Sequence, residues 1–245
     1  MSRTDLIEDG AVLVSALTAP ERALPAAADR RRTLSAILVA TVLSLVFAAV
    51  ALPRYDFAAA AAAMPRPPDA EEQTPFQQEE AAAQARKVGT IAGWGSAAAS
   101  PALLALGLAL TFFLAFRLAG TSPAFKPTLA VSAHAMLPLF LAQLLALPAI
   151  VMKAPVNPLH VHDLLPTSLA ALLPAGGSPI LAAAASSLDL FTAWAVVLMV
   201  LGMARAAGST HRRAAVVVGL LWLAHVALFK IAPAAAMAAR ASGGA

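Results

Sequence analysis

The chain has 245 residues, of which 60% are hydrophobic and 12% are charged, and its formal net charge at pH 7 is +4. A mean hydropathy of +0.77 excludes an ordinary soluble domain of this length and indicates an integral membrane protein. The basic residues lie mostly at the ends of hydrophobic runs, where they orient a membrane protein, so nucleic acid is excluded as a partner. Because the sequence has no cysteine, thiolate catalysis and zinc–thiolate sites are excluded as well.

Five hydrophobic runs are long enough to cross a hydrocarbon core about 30 Å thick. They lie at about 33–52, 101–118, 127–152, 188–206 and 214–232, and they predict an all-α membrane bundle of five transmembrane helices over residues 33–232. Residues 1–32 are polar and end in a basic cluster next to the first run, which predicts a cytoplasmic N-terminal arm. Residues 233–245 form a C-terminal tail.

The largest polar segment, residues 53–97, separates the first two runs and is expected outside the cytoplasm. The residues Thr74-Pro75-Phe76-Gln77 are typical of a helix start, with Thr74 as N-cap and Gln77 reaching back, and predict a helix over about 75–88. Ser100-Pro101 repeats the same pattern, so we expect the second span to begin there as a separate helix.

The third run is expected to be the centre of the bundle, packed against the second, fourth and fifth. Pro138 lies inside it and removes a helix hydrogen bond, which predicts a kink and a freed carbonyl near His134. The loop at 119–126 is so short that the second and third spans must form an antiparallel hairpin. Small residues such as Gly107 and Gly202 are expected where helices approach each other.

The loop at 154–187 is rich in proline and yet apolar, which predicts a short helix at about 168–173 that lies in the membrane interface or dips into the membrane. Asp189 stands in the first turn of the fourth span, where a carboxylate suits the helix dipole. Lysine and arginine are concentrated in the short loops that lie on the N-terminal side of the membrane. This distribution predicts a cytoplasmic N-terminus and an extracytoplasmic C-terminus.

Several stretches resemble the Yip family, multi-spanning membrane proteins named for their interaction with Ypt/Rab GTPases. They are Ala19-Pro20-Glu21, Phe125-Lys126, Ala133-His134-Ala135-Met136-Leu137-Pro138 and Leu188-Asp189-Leu190-Phe191-Thr192-Ala193-Trp194, and the resemblance covers roughly residues 15–235. The chain keeps the proline of the family's Gly-Tyr-x-x-x-Pro motif as Pro138. Ala133 stands in place of the glycine of this motif, and His134 stands in place of its tyrosine. Asp189, Phe191 and Trp194 are similar to the Asp-x-Phe-x-x-Trp pattern of bacterial members.

The resemblance implies a multi-span membrane fold, and for the eukaryotic relatives it implies roles in membrane organisation or trafficking. The similarity to bacterial members, together with the high alanine content, points to a bacterial inner (plasma) membrane protein. A bacterium has no Rab partner, so the interacting protein stays unidentified.

The candidate intramembrane polar site consists of Ser132, His134, Pro138, Gln143 and His225. An ionisable residue within a span is a functional hypothesis by default, and His134 is the clearest case. The structural alternative is that a neutral His134 imidazole donates to the carbonyl freed by Pro138 and locks the bundle. His225 has the same two interpretations, and Gln143 is expected to form an interhelical hydrogen bond.

The candidate metal site consists of His160, His162 and Asp163, two imidazoles and a carboxylate within four residues. In an extended segment His160 and His162 point the same way, which would suit zinc or copper. The motif alone does not supply a full tetrahedral set, so an ordinary loop is the alternative. No other feature of the sequence points to a cofactor.

Features that the sequence lacks also limit the functions that it can have. No Asp, Glu, Lys or Arg falls in the middle of a predicted span, and the sequence has no Gly-rich phosphate loop, His-Glu-x-x-His or Gly-x-Ser-x-Gly motif. We therefore expect a non-enzymatic membrane scaffold or partner-binding protein whose arm and basic turns contact anionic lipid or an unidentified membrane or cytoplasmic protein. The alternative is a small permease, channel or lipid-handling protein with a polar cavity near His134 and Pro138.

Overall fold

The computed structural model describes Ser15 and residues 33–63, 74–174 and 177–243, without the side chains of His162, Asp163 and residues 240–243. The regular elements are the helices α1 (Leu34–Ala51), α2 (Phe57–Ala62), α3 (Pro75–Leu118), α4 (Phe125–Ala135), α5 (Leu137–Lys153), α6 (Pro179–Ser186), α7 (Leu190–Ala206), α8 (His211–Val226) and α9 (Ala232–Gly243). Shorter 3₁₀ turns lie at Leu52–Arg54, Pro158–Leu164 and Leu169–Leu172, and a π turn at Ala227–Ile231 joins α8 to α9. Apart from two isolated β-bridges, these described ranges contain no strand.

Four helical segments are long and apolar enough to cross a membrane: Leu34–Arg54, Pro75–Leu118, Phe125–Lys153 and His211–Ala239. The all-α membrane fold is thereby confirmed. The fourth predicted span corresponds to α7, which is apolar but only 17 residues or about 25 Å long. Its crossing of the membrane stays a prediction, and the N-terminal arm lies outside the described residues apart from Ser15. The fifth predicted span begins earlier than expected, and its helix continues into the C-terminal tail.

α3 is a single helix of 44 residues, about 66 Å long. Its start is the predicted capping box: the Gln77 amide donates to Thr74 Oγ1 at 3.3 Å, and the Thr74 amide donates to Gln77 Oε1 at 2.9 Å. The separate helix start predicted at Ser100 is wrong, because Pro101 lies inside α3. A proline inside a helix removes one hydrogen bond and crowds the carbonyl four residues earlier. Pro101 is fully buried against neighbouring helices, which makes these effects tolerable in a membrane helix.

α1 and α3 pack side by side through small residues. The buried positions of α1 recur every four residues at Ala36, Ala40, Ser44 and Ala48, and those of α3 do so at Ala97, Pro101, Ala105 and Ala109. The α3 series extends towards its N-terminus through Gly93 and Gly89, where an added Cβ would clash with the side chains of Leu52 and Phe57. Such small-residue faces allow two helices to approach closely.

The third predicted span is broken into α4 and α5 at Met136, two residues before Pro138, so the expected kink is confirmed. The two halves pack against α1, α3 and α7, which makes this span the centre of the bundle as predicted. α8 packs chiefly against α7 and less against α3, so the predicted packing of the fifth span against the third is not among the main contacts between the described helices.

Two glycines test where the small-residue contacts lie. A Cβ on Gly202 in α7 would clash with Val131 of α4, at 3.0 Å from its Cγ2, so the predicted close approach at Gly202 is confirmed. A Cβ on Gly107 would meet no atom within 4 Å, so the predicted contact there is wrong. Gly107 lies on the outer side of α3, because the inner side is taken by Ala105 and Ala109.

Two turns, residues 119–124 and 207–210, lie on one side of the bundle, which is called the turn face below. Each contains a glycine of positive φ, Gly120 at 76° and Gly208 at 57°. In each turn the amide after the glycine donates to a carbonyl five residues earlier, at 3.0 and 2.9 Å, as in a Schellman helix end. Arg213 at the start of α8 ties the two turns together by donating to the Ala119 carbonyl.

The opposite side, formed by residues 52–62 and 154–174, is called the loop face. Tyr55 and Val156 form a bridge there, in which the Asp56 amide donates to the Val156 carbonyl at 2.9 Å. The short helix predicted at 168–173 is confirmed as the 3₁₀ turn Leu169–Leu172. The loop face therefore has local structure although much of it is irregular.

Candidate functional site

His134 lies near the end of α4, where it is 1% exposed. Its Nδ1 is 2.7 Å from the Ala130 carbonyl oxygen, so Nδ1 carries a proton and donates. The predicted acceptor, the carbonyl freed by Pro138, is wrong. A helical side chain points towards the N-terminus of its helix, and the carbonyl one turn earlier is therefore the one within reach. This hydrogen bond connects two residues of α4, so it does not bridge the kink between α4 and α5.

Ser132 and Gln143 are the other polar residues of the central span. Ser132 is fully buried in α4, and its Oγ has no hydrogen-bond partner among the described residues. The Gln143 Oε1 in α5 is likewise buried without a partner in the part of the chain that the structure describes. The interhelical hydrogen bond predicted for Gln143 is therefore not formed through this oxygen. Since 11 residues separate them, roughly 16 Å along a helix, the two residues do not form one polar site.

His225 does not join His134. It lies on an exposed side of α8, and its ring packs against Phe229 with the centroids 5.1 Å apart and the planes tilted by 33°. α8 itself packs on α7 and α3. The structure thus separates the two histidines that the sequence singled out within spans.

The predicted metal ligands fall in the 3₁₀ turn Pro158–Leu164. The segment is therefore not extended, which is the backbone conformation in which His160 and His162 would point the same way. His160 is exposed, while the side chains of His162 and Asp163 lie outside the described residues. Among the described side chains no group of three or more histidine, aspartate or glutamate residues is placed to hold a metal ion.

The residues at the start of α7 cap the helix and pack in the core. Asp189 is the N-cap of α7 rather than a residue of its first turn, and its Oδ1 accepts from the Phe191 and Thr192 amides at 2.9 and 3.0 Å. Phe191 is buried, and Trp194 packs against the core formed by α3, α4, α7 and α8. Ala133, His134 and Pro138 are also buried, at the junction of α4 and α5. Five of the six family-like residues therefore pack inside the bundle, whereas Asp189 caps the end of α7 beside the loop at Ser168.

Two adjoining pockets on the loop face were not found by sequence reasoning. One, of about 620 Å³, lies along α3 between Glu79 and Ile91; the other, of about 610 Å³, lies between the ends of α1 and α5 and the side of α3. Arg86 and Thr90 line both pockets. Because the second pocket joins segments up to about 100 residues apart in sequence, no local pattern could have revealed it. The spacing of Arg86, Thr90 and Trp94, one helical turn each, was the only available signal.

Tyr55 lies at the wall of this second pocket, where its ring packs edge-on against Phe57 with the centroids 5.8 Å apart. Burial raises the pKa of Tyr55 to about 12, because the low-dielectric surroundings disfavour the phenolate. The side chain is therefore a neutral phenol throughout the physiological range.

Several helices are apolar and long enough to cross a bilayer, and short capped turns join them. The buried imidazole of His134 is bonded to a backbone carbonyl. These features are those of a multi-pass membrane protein. The chain matches the Yip1 domain over residues 14–232 and belongs to this family. The resemblance to the Yip family is thereby confirmed, while the assignment to its bacterial members stays a prediction. No curated protein and no solved structure matches the chain.

Proposed function

We propose that the protein is a non-enzymatic membrane scaffold that binds a protein partner at the turn face, through its N-terminal arm and basic turns. One observation carries the proposal. His134, the ionisable residue at the centre of the described bundle, is packed among helices and bonded to Ala130 instead of lining either pocket. A side chain packed in this way stabilises the fold, and the space around it leaves no room for a substrate. Membership of the Yip1 domain family supports the same assignment.

The turn face offers exposed cations. Lys126 and Arg212 are exposed beside it, and neither makes a hydrogen bond or ion pair among the described residues. The other basic residues there are already used: Arg213 binds the Ala119 carbonyl, and Arg117 lies 4.7 Å over the Phe113 ring. Exposed cations next to a span attract anionic lipid and acidic protein surfaces. We place this face in the cytoplasm of a bacterial cell, at the inner membrane.

We also propose that α7 crosses the membrane as the fourth of five spans. It lies between α4 and α8, and its 17 residues reach the lower limit for a membrane helix. The 3₁₀ turn and α6 that precede it supply further apolar residues at the loop face. With α7 inserted, the two turns fall on one side of the membrane and the C-terminus on the other.

The second candidate function is a small permease, channel or lipid-handling protein. The buried oxygens of Ser132 and Gln143 favour it, because water or a polar solute would supply the partners that both atoms lack among the described residues. Against it, His134 lines neither of the two pockets. A transport path at His134 would require the central helices to separate.

A pull-down from solubilised membranes tests the proposal. The intact chain is compared with a form that lacks residues 1–28, with His134→Ala and with His134→Gln, whose amide can still reach the carbonyl one turn earlier. A partner that is lost with the arm, retained by both His134 variants and recovered in the reciprocal pull-down supports the scaffold. Solute flux in liposomes that both His134 variants abolish, while they elute as folded monodisperse protein, would instead establish the transport function.

A further inference from the structure

The second pocket of the loop face lies at the level where the first span leaves the membrane. Its position follows from two close approaches between α3 and the end of α1: Gly93 faces Leu52, and Gly89 faces Phe57. Arg54, which ends the first span, is therefore level with residues 89–93 of α3. Trp94 lines the same pocket and is 42% exposed. A partly exposed tryptophan at the end of a span is typical of the membrane–water interface.

Two arginines line the second pocket. Arg54 lies in the 3₁₀ turn that follows α1, and Arg86 lies in α3. Arg54 is held in place because its Nη1 donates to the Val50 carbonyl at 2.6 Å, which leaves the other guanidinium N–H groups available. Arg86 makes no hydrogen bond or ion pair among the described residues. Two arginines from different elements of the fold thus line one cavity.

One carboxylate also lines the pocket, that of Asp56. It is used locally, because Asp56 Oδ1 accepts from the Ala59 amide at 2.9 Å and caps α2. Two arginines against one capping aspartate leave a net positive charge in the pocket. Thr90 adds a hydroxyl between Arg86 and Trp94 on the same side of α3. These groups form a set of donors at the boundary of the hydrocarbon region.

We propose that this pocket binds the phosphate of an anionic phospholipid headgroup, held between the guanidinium groups of Arg54 and Arg86. Planar guanidinium groups bind phosphate oxygens in pairs, which neither a lone ammonium nor a hydroxyl does. The volume of about 610 Å³ lies within the range of small-molecule sites. A lipid is favoured over soluble phosphate because the cavity opens at the interface, where headgroups are concentrated and acyl chains can lie against the exposed side of α3.

The test is a lipid titration of the detergent-purified full chain, read by native mass spectrometry. Short-chain phosphatidylglycerol is compared with phosphatidylcholine of the same chain length and with inorganic phosphate. The variants are Arg54→Gln, Arg86→Gln and the double variant. Lys230→Gln is the matched control, because it removes an exposed cation that lines neither pocket. Arg86→Gln is the variant that leaves packing untouched, since Arg86 is exposed and contacts no partner.

We expect tighter binding of phosphatidylglycerol than of phosphatidylcholine, a loss of about tenfold for each pocket arginine replaced, and no change for Lys230→Gln. Phosphatidylglycerol binding by the double variant within twofold of that of the unaltered chain would overturn the proposal. Binding of inorganic phosphate that competes with the lipid and is lost in the double variant would overturn the lipid assignment and show an anion site filled from solution. No partner protein takes part, so the outcome is independent of the scaffold proposal.

Discussion

Replacing Gly202 by alanine tests the packing between α4 and α7. A Cβ at this position would clash with Val131, whose Cγ2 would be 3.0 Å away. Val131 is fully buried and β-branched, and a helix leaves such a side chain essentially one χ1 rotamer, so it cannot turn aside. The helices would have to move apart instead. Overpacking of this kind costs about 1–3 kcal/mol of the free energy of unfolding.

Gly107→Ala is the matched control, because its new Cβ would meet no atom within 4 Å. Both variants gain the same helix propensity, up to about 1 kcal/mol, so the difference between them isolates the clash. We expect Gly202→Ala to be less stable than Gly107→Ala by about 1–3 kcal/mol in unfolding by sodium dodecyl sulfate from mixed micelles. Val131→Ala combined with Gly202→Ala should restore part of the loss. Equal stability of the two single variants would refute the close approach.

Three further predictions concern local groups. The single tyrosine, Tyr55, should titrate near pH 12 in the folded protein and near pH 10 in the denatured protein, as followed by ultraviolet absorbance. Because its folded pKa is the higher one, its contribution to stability is complete below pH 10 and is lost as the pH rises through about 12; a folded-state midpoint near 10 would contradict the burial. Asp189→Ala should destabilise the protein by about 1 kcal/mol and Asp189→Asn by less, since asparagine also caps; equal losses would mean that charge rather than capping matters. Thr74→Ala should speed hydrogen exchange of the Gln77 amide, whose protection would stay unchanged if the capping box did not form.

Local chemistry made several elements predictable. The capping box at Thr74, the helix stop at Gly120 and the break before Pro138 each depend on one or two residues whose conformational preferences are strong in any context. Hydropathy likewise identified the long apolar segments, because it depends on composition rather than on contacts. In these places the neighbouring residues along the chain were sufficient to predict the local structure.

The continuity of α3 could not be predicted in that way. Ser100-Pro101 has the same local pattern as the true start at Thr74-Pro75, and only the burial of Pro101 against other helices separates the two cases. The bonding of His134 was missed for a related reason. The sequence indicates that a carbonyl is freed by Pro138, but side-chain direction decides that the Ala130 carbonyl is the one within reach.

The second pocket of the loop face was the feature that the sequence could predict least. Its two arginines are 32 residues apart and come together because the glycines of α3 allow the end of α1 to approach. The metal site at His160, His162 and Asp163 was inferred from adjacency along the chain alone. It stays a prediction, because the side chains of His162 and Asp163 lie outside the described residues.

The alanine series of α1 changes how sequence variants in this helix should be interpreted. In a bilayer, lipid tails are as apolar as a helix side chain, so hydropathy does not decide whether α1 binds α3. Alanine has no rotamers to freeze on association, and contact with a second small-residue face is close only while both stay small. A change of Ala40 to leucine would raise the hydropathy of the span and improve its score as a membrane segment, yet it would push the two helices apart. A variant that looks harmless by polarity is thus the damaging one here, whereas a leucine in place of exposed Val42 meets only lipid, as exposed Leu38 already does.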